Sequence, residues 1–318
     1  MNLIATCMKN EGPFCLEWVA FHQAIGFDRF LVYTNDCDDG TDLIFDRLAE
    51  MGLCTHLPNP ARGNQRPQAA AMRDIVGQPD FLEADWFLLS DCDEFLNIQL
   101  GSGRLGDLVE AMGEARAISV VWRLFGTGGH DVFADAPVTE TFIRAAPEFC
   151  PSPPQAWGFK TLFRPMRGEA LDRLGAHRPF FTDPAALSGA WLDSGGRPVQ
   201  DWLIEAGWRF NRNNYSYAWA QMNHYAVRSA ESFLVKSDRG HVLHTHKDID
   251  TDYFRAMNQN SVEDTSIARL SGPLHDRLAE LMADARLQEL HAGAVHWHKS
   301  KAEALTRANP EFLRELSQ

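Results

Sequence analysis

Over about its first ninety residues this chain alternates short β-rich runs with stretches of helical periodicity, an order that few folds accommodate. Leu3-Ile4-Ala5-Thr6-Cys7 stops at the polar Lys9-Asn10-Glu11-Gly12, after which Leu16, Val19, Ala20 and Phe21 recur at helical spacing. Phe30-Leu31-Val32-Tyr33-Thr34 is a second run, closed by the turn-forming Asn35-Asp36-Cys37-Asp38-Asp39-Gly40. Thr41-Asp42 caps a helix through Leu43, Ile44, Leu48 and Met51, and Leu53-Cys54-Thr55-His56-Leu57 reads as a third strand. A polar loop and a helix near residues 69–76 lead to the strongest strand signal, Trp86-Phe87-Leu88-Leu89-Ser90. Repeated β-α-β units predict an α/β fold with a mainly parallel sheet and helices on both faces. Such sheets bind ligands outside the carboxyl ends of their strands. Three polar clusters, at residues 9–11, 35–39 and 91–94, fall at those ends and point to one shared site.

The texture changes from about residue 119. Ser119-Val120-Val121-Trp122-Arg123-Leu124-Phe125 looks like a strand, and Gly126-Thr127-Gly128-Gly129 after it is a flexible acceptor loop or a tight turn. Residues 147–200 are rich in Pro, Gly and aromatics without a long periodic segment, as functional or mobile loops are. From about Pro273 the chain is helical, with Leu274, Leu278, Leu281, Met282, Leu287 and Leu290 as an apolar stripe, and residues 302–316 add a further helix. With an apolar fraction of 45%, the 318 residues can build a sizeable core. A net charge of −13 repels polyanions, so nucleic acid is excluded as a main partner, and an anionic ligand must meet a local cation cluster or a metal. Six scattered cysteines without a CxxC pair, no leader-like N-terminus and no membrane-length apolar run predict a cytoplasmic protein without a membrane span. The sequence does not set the oligomeric state.

The chemistry centres on Asp91-Cys92-Asp93-Glu94-Phe95, which follows the fourth strand without delay. Alternate side chains of a strand share a face, so Asp91 and Asp93 can form a hard oxygen site suited to Mn²⁺ or Mg²⁺, with Cys92 between them against a bound donor. Such an ion bridges diphosphate oxygens and neutralises charge on a leaving nucleoside diphosphate. The plainer alternative is a pair of acids capping a turn.

Several blocks together resemble the family-2-like glycosyltransferases, particularly the family 92 branch. Met8-Lys9-Asn10-Glu11-Gly12 with Glu17-Trp18-Val19-Ala20-Phe21-His22-Gln23-Ala24-Ile25-Gly26 is similar to their opening KNE segment and its E-W-x-x-[YF]-H-x-x-x-G helix. The segment from Asn35 to Thr41 resembles N-D-x-S-x-D-G-T, with Cys37 where Ser is usual, and Trp86 through Phe95 resembles W-x-x-x-x-D-x-D-E-F. Phe159-Lys160-Thr161-Leu162-Phe163-Arg164-Pro165, His177-Arg178-Pro179 and Asn223-His224-Tyr225 with Arg228, Ser229, Glu231, Phe233 and Lys236 continue the series.

The resemblance implies a Rossmann-like GT-A domain over residues 1–240, split into a nucleotide-binding half (1–118) and an acceptor-side half (119–240), with residues 241–318 as a helical C-terminal extension. It further implies an inverting transfer of a sugar, commonly from a UDP-sugar, to a hydroxyl of a glycan or related acceptor. By position, Thr6, Lys9 and Glu11 line the nucleoside pocket and Asn35 joins them, although related enzymes often carry an Asp near that position. It also favours His224 over a plain core histidine as the group that completes the metal shell.

Arg228 and Lys236 are spaced to face a diphosphate. The polar segment Arg62-Gly63-Asn64-Gln65-Arg66-Pro67-Gln68, with Arg73, either brings local positive charge to the donor, with Gln65 and Arg66 against it, or is an ordinary exposed loop. An inverting transferase needs a base for the acceptor hydroxyl. Asp131, Glu148, Asp193 and Asp201 are candidates, and Asp193 comes first because it adjoins Gly195-Gly196. Two rival readings are a nucleotidyltransferase, disfavoured by a short first loop with one lysine, and a non-catalytic carbohydrate-binding relative, disfavoured by the intact Asp91/Asp93 pair.

Overall fold

A computed structural model describes residues 1–60, 63, 66–165, 171–239 and 251–316. The strands are β1 (Asn2–Met8), β2 (Arg29–Thr34), β3 (Cys54–Pro58), β4 (Trp86–Leu89), β5 (Glu94–Ile98), β6 (Ala117–Leu124), β7 (Arg144–Ala145), β8 (Phe159–Phe163), β9 (Leu171–Leu174), β10 (Pro179–Phe181), β11 (Trp191–Asp193), β12 (Ala220–His224) and β13 (Val262–Glu263). The helices are α1 (Gly12–Ile25), α2 (Thr41–Glu50), α3 (Pro67–Ile75), α4 (Pro79–Glu83), α5 (Leu105–Met112), α6 (Val138–Thr141), α7 (Asp201–Glu205), α8 (Ala230–Asp238), α9 (Thr251–Met257), α10 (Ser271–Met282), α11 (Ala285–Ala308) and α12 (Pro310–Leu316).

Among the described residues nine strands form one sheet, in the order β3-β2-β1-β4-β8-β6-β12-β5, with β11 also on β6. β3, β2, β1 and β4 run parallel, as the β-α-β reading predicts. The central strands are apolar on both faces, as buried parallel strands must be. In β1, Ile4 and Met8 enter one core while Leu3 and Ala5 enter the other, and β2 splits Phe30 and Val32 from Leu31 and Tyr33 in the same way. One core lies under α1, α2, α5, α10 and α11, the other under α3, α4 and α7.

The second half departs from an all-parallel sheet. β8 is antiparallel to both β4 and β6, and β5 turns back antiparallel to β12. Residues 147–200, loop-like in sequence, hold β8 to β11, of which only β8 and β11 join the main sheet. Short strands interrupted by Pro and Gly leave no period to read. The C-terminal residues pack on the first helix: Leu274, Leu281, Leu287, Ala294 and Val295 share one core with Trp18, Val19 and Phe21. β13 pairs with β7, so residues of the predicted extension also enter a small sheet with the acceptor-side half.

Candidate functional site

Strand β4 has no polar side chain until Ser90, so its chain exits the core into a tight turn. That turn is closed twice, by Glu94 N–H donating to the Asp91 carbonyl at 3.0 Å and Asp91 N–H donating to Glu94 Oε2 at 2.8 Å. Ser90 Oγ donates to the same oxygen, and Trp122 Nε1 on β6 donates to Glu94 Oε1 at 2.9 Å. The Lys160 ammonium, 1% exposed at the start of β8, sits 2.9 Å from Asp91 Oδ2 and 3.3 Å from Glu94 Oε2. Burial pushes the Glu94 carboxyl up to about 7 against the pull of Lys160, and the nearby Asp91 charge adds to the rise. Lys160 itself is held above its ordinary range, because Asp91 and Glu94 outweigh the burial that would lower it.

The antiparallel register of β5 and β12 places His224 opposite Glu94, and Tyr225 N–H donates to the Asp93 carbonyl. Asp93 Oδ2 accepts from Lys236 Nζ of α8 at 2.7 Å, while Asp93 Oδ1 faces His224 Nε2 at 3.6 Å, beyond hydrogen-bond reach. Burial would raise the Asp93 carboxyl, but Lys236 and then His224 hold it well below the usual range. Glu11 lies between Arg228 (2.8 Å) and Arg239 (2.6 Å), whose charges outweigh burial and keep it low as well. Arg228 adopts a left-handed backbone (φ 54°), reaches toward the Cys92 carbonyl and lies over the Phe14 ring. Four carboxylates (Glu11, Asp91, Asp93, Glu94) thus interleave with four cations (Lys160, Arg228, Lys236, Arg239) at the carboxyl end of the sheet. Charges this buried are tolerable only when paired.

The neighbouring loops are fixed from below. Asp39 accepts from Gly12 N–H at 2.7 Å and from Thr41 N–H and Oγ1, clasping the loops after β1 and β2 together. Asn10, at φ 52°, accepts from Asp38 N–H. Asn35 is buried there with its amide against Asp36, and its N–H donates to the Met8 carbonyl.

The structure therefore brings Glu11, Asn35, Asp91, Asp93, His224, Arg228 and Lys236 to one end of the sheet. Lys9 lies beside them, its carbonyl accepting from Arg239 and its ammonium without a carboxylate partner among the described residues. Thr6 is fully buried on the α1 face, its hydroxyl unpartnered among the described residues. Cys92 turns its thiol into the core, where burial pushes its pKa well up, so only its carbonyl faces the cluster. Arg66 is an exposed residue before α3, and Gln65 lies outside the described residues.

The two carboxylates expected to act as base are placed elsewhere. Asp193 is fully buried, pairs with Ser119 in the first half of β6, and accepts from Gly195 N–H, Arg197 N–H, Arg197 Nε and Asn214 Nδ2. With four donors on two oxygens, it organises its own turn. Asp201 is exposed at the start of α7 and accepts from Ser188.

Among the described residues no three His, Cys, Asp or Glu side chains converge on one point. Asp93 and His224 nonetheless suit a divalent ion. Their facing atoms are unbonded to each other, and a Mg²⁺-type ion needs only one or two protein ligands when phosphates and water supply the rest. Asp91 Oδ1, which among the described residues accepts only from Gln68 at 3.5 Å, is an oxygen that could join them.

Residues with no site role assigned from sequence complete the cluster. Lys160 was visible as one charge inside an apolar strand, an unusual place for lysine. Arg239 and Tyr253 gave no such signal, although Tyr253 of α9 lies close enough to Lys236 and Asp93 to feel their charge.

No family model matches the chain. A stretch of 100 residues, 31% of this chain, is 27% identical to a glycosyltransferase family 92 protein of Ricinus communis, covering 17% of that protein. A stretch of 45 residues, 14% of this chain, is 31% identical to a family 92 protein of Oryza sativa subsp. japonica, covering 8% of it. The chain is thus a weak homologue of family 92 proteins, in line with the motif resemblance, and its matches span less than a fifth of those relatives' length. Among solved structures, residues 1–349 of S. aureus TarS in complex with UDP superpose with a TM-score of 0.33 at 13% identity, over 52% of this chain and 47% of that one. HddC from Yersinia pseudotuberculosis superposes with a TM-score of 0.29 at 9% identity, over 46% and 67%.

Proposed function

We propose that this chain is a GT-A glycosyltransferase that moves a sugar from a nucleoside diphosphate, most simply a UDP-sugar, to a hydroxyl of a glycan or related acceptor, with inversion. The observation that carries the reading is the interleaved charge cluster at the carboxyl ends of the parallel strands, with family 92 homology beside it. A diphosphate is a dense anion, and a net-acidic protein must meet it with a local array of cations. Lys236 and Arg228 supply fixed positive charge, and Lys9 is a cation without a carboxylate partner among the described residues. Because Lys236 and Arg228 are already oriented by Asp93 and Glu11, little reorganisation accompanies charge build-up on the leaving group.

Asp93 and His224, with Asp91, are the residues to hold Mn²⁺ or Mg²⁺. Such an ion supplies Lewis-acid neutralisation of diphosphate oxygens. Asn35 and Glu11 position the nucleoside end. The test is thermal unfolding with UDP or GDP, with and without Mn²⁺, followed by donor hydrolysis. UDP with metal is expected to raise the melting temperature, and Asp93→Ala to abolish both the shift and hydrolysis. No shift with any nucleoside diphosphate would sink the proposal, and pyrophosphate release from a nucleoside triphosphate would replace it with a nucleotidyltransferase.

A further inference from the structure

Beside Lys160 the chain assembles an aromatic corner that none of the roles above uses. The turn after β9 lies over Lys160, whose Nζ donates to the Ala176 carbonyl at 3.0 Å, and carries His177 next in sequence. The His177 ring stacks on Trp208 with centroids 4.8 Å apart at 26°, and both meet Trp122 edge-on. Trp122 in turn lies 4.6 Å from the His224 ring, so the corner is continuous with the Asp93–His224 pair. Gly158 makes the convergence possible: a Cβ there would lie 2.5 Å from Trp122 and 3.0 Å from Trp208. Its backbone (φ −62°, ψ 156°) is open to any residue, so glycine is needed for space and not for conformation.

The polar atoms of this corner are set and unspent. His177 Nδ1 donates to the Phe159 carbonyl, which fixes the tautomer and leaves Nε2 as an acceptor. Burial, then the Lys160 charge, push that imidazole down to about 4, so it is neutral near pH 7. Neither His177 Nε2 nor Trp208 Nε1 has a hydrogen-bond partner among the described residues. Both rings are half-buried, and exposed Arg209 covers part of the Trp208 ring at 4.8 Å, adding donors without a carboxylate partner among the described residues.

We propose that Trp208, His177 and Arg209 form a pyranose subsite beside Asp91 and Lys160. Ring C–H groups of the sugar pack on the aromatic wall, and its hydroxyls donate to His177 Nε2 and accept from Trp208 Nε1 and Arg209. An apolar surface with a few fixed polar atoms is what an amphipathic sugar ring requires. The subsite rests on the transferase reading and deepens it, and the sugar it holds comes either from the donor or from the acceptor.

The test compares wild type with Trp208→Ala, Trp208→Phe and His177→Ala. Calorimetry in Mn²⁺ reads UDP, UDP-glucose, UDP-galactose and UDP-N-acetylglucosamine, and saturation-transfer NMR reads the matching methyl glycosides. For a donor subsite, Trp208→Ala and His177→Ala weaken a UDP-sugar by about tenfold and leave UDP unchanged, with Trp208→Phe intermediate. For an acceptor subsite, nucleotide affinities stay fixed and the methyl glycoside signal disappears in both alanine variants. The inference is overturned if wild type binds no sugar moiety, or if the alanine variants bind every sugar as wild type does. Failure of UDP itself to bind strikes the transferase reading instead, because the glycoside arm still reads the subsite.

Discussion

Lys160 shows how much one side chain can carry in this site. Its ammonium bridges two carboxylates and a backbone carbonyl from inside the sheet. Removing one partner of a buried ion pair leaves an uncompensated charge, typically at a cost of about 3–5 kcal/mol. Lys160→Met is therefore expected to lower stability by that amount in urea unfolding, and Asp91→Asn by clearly less, because Asp91 is half-exposed and Glu94 keeps Lys160 paired. Equal penalties for the two variants would contradict this hierarchy. In sequence, the acids were legible because they follow an apolar strand at once. Arg228 and Lys236 were legible as cations of the site, but which acid each meets was not. Arg239 was missed, because Glu11 meets it across more than two hundred residues and no local spacing encodes such a pair.

Helix α1 carries its information differently. Pro13 opens it and Gly26, at φ 109°, ends it in the left-handed cap that glycine favours. Of its fourteen residues only Gln23 escapes full burial, because sheet and C-terminal helices enclose it. The helical spacing of Leu16, Val19, Ala20 and Phe21 gave the helix, but not that its whole circumference is enclosed. His22 is enclosed with it, donating from Nδ1 to the Trp18 carbonyl, and burial pushes its imidazole down to about 3. The unfolded chain, with a pKa near 6.5, binds the extra proton. The stability that neutral His22 gives is full above pH 6.5 and is lost as pH falls toward 3. Relative to wild type, His22→Phe should thus gain about 2–3 kcal/mol between pH 7 and pH 4.5, read from urea midpoints. Parallel pH profiles would refute it. At the other end of α1, a Cβ on Gly12 would meet Ala294 Cβ at 2.6 Å and Asp39 Oδ2 at 3.0 Å. Gly12→Ala should cost about 1–3 kcal/mol and weaken UDP, since the displaced atoms include the clasp between the two polar loops.

At the scale of the molecule, the parallel half of the sheet and the gathering of its polar strand ends at one edge were legible, because strand and helix periods alternate cleanly there. The destination of the C-terminal helices was not: an apolar stripe states that it needs a partner without naming it. The partner is α1, reinforced by Arg47 of α2, which donates through two nitrogens to Asp284 before α11. Leu274, Leu281 and Leu287 are each buried against this assembly. At about 1.5–3 kcal/mol apiece, their loss rivals the whole stability of an ordinary domain. A chain lacking residues 271–316 is expected to show no cooperative urea transition, and retention of a sharp one would refute this dependence.

The contact between Gly12 and Ala294 also sets a clock. Some 280 residues separate them, so at about 5–20 residues per second one end of the contact waits roughly 15–60 s for the other during synthesis. Through that interval the first helix is made but uncovered, and the loop that begins at Lys9 lacks its backing. A ribosome-bound chain stalled before Ala294 should therefore recruit chaperones and fail to retain nucleotide, whereas one stalled well beyond it should not.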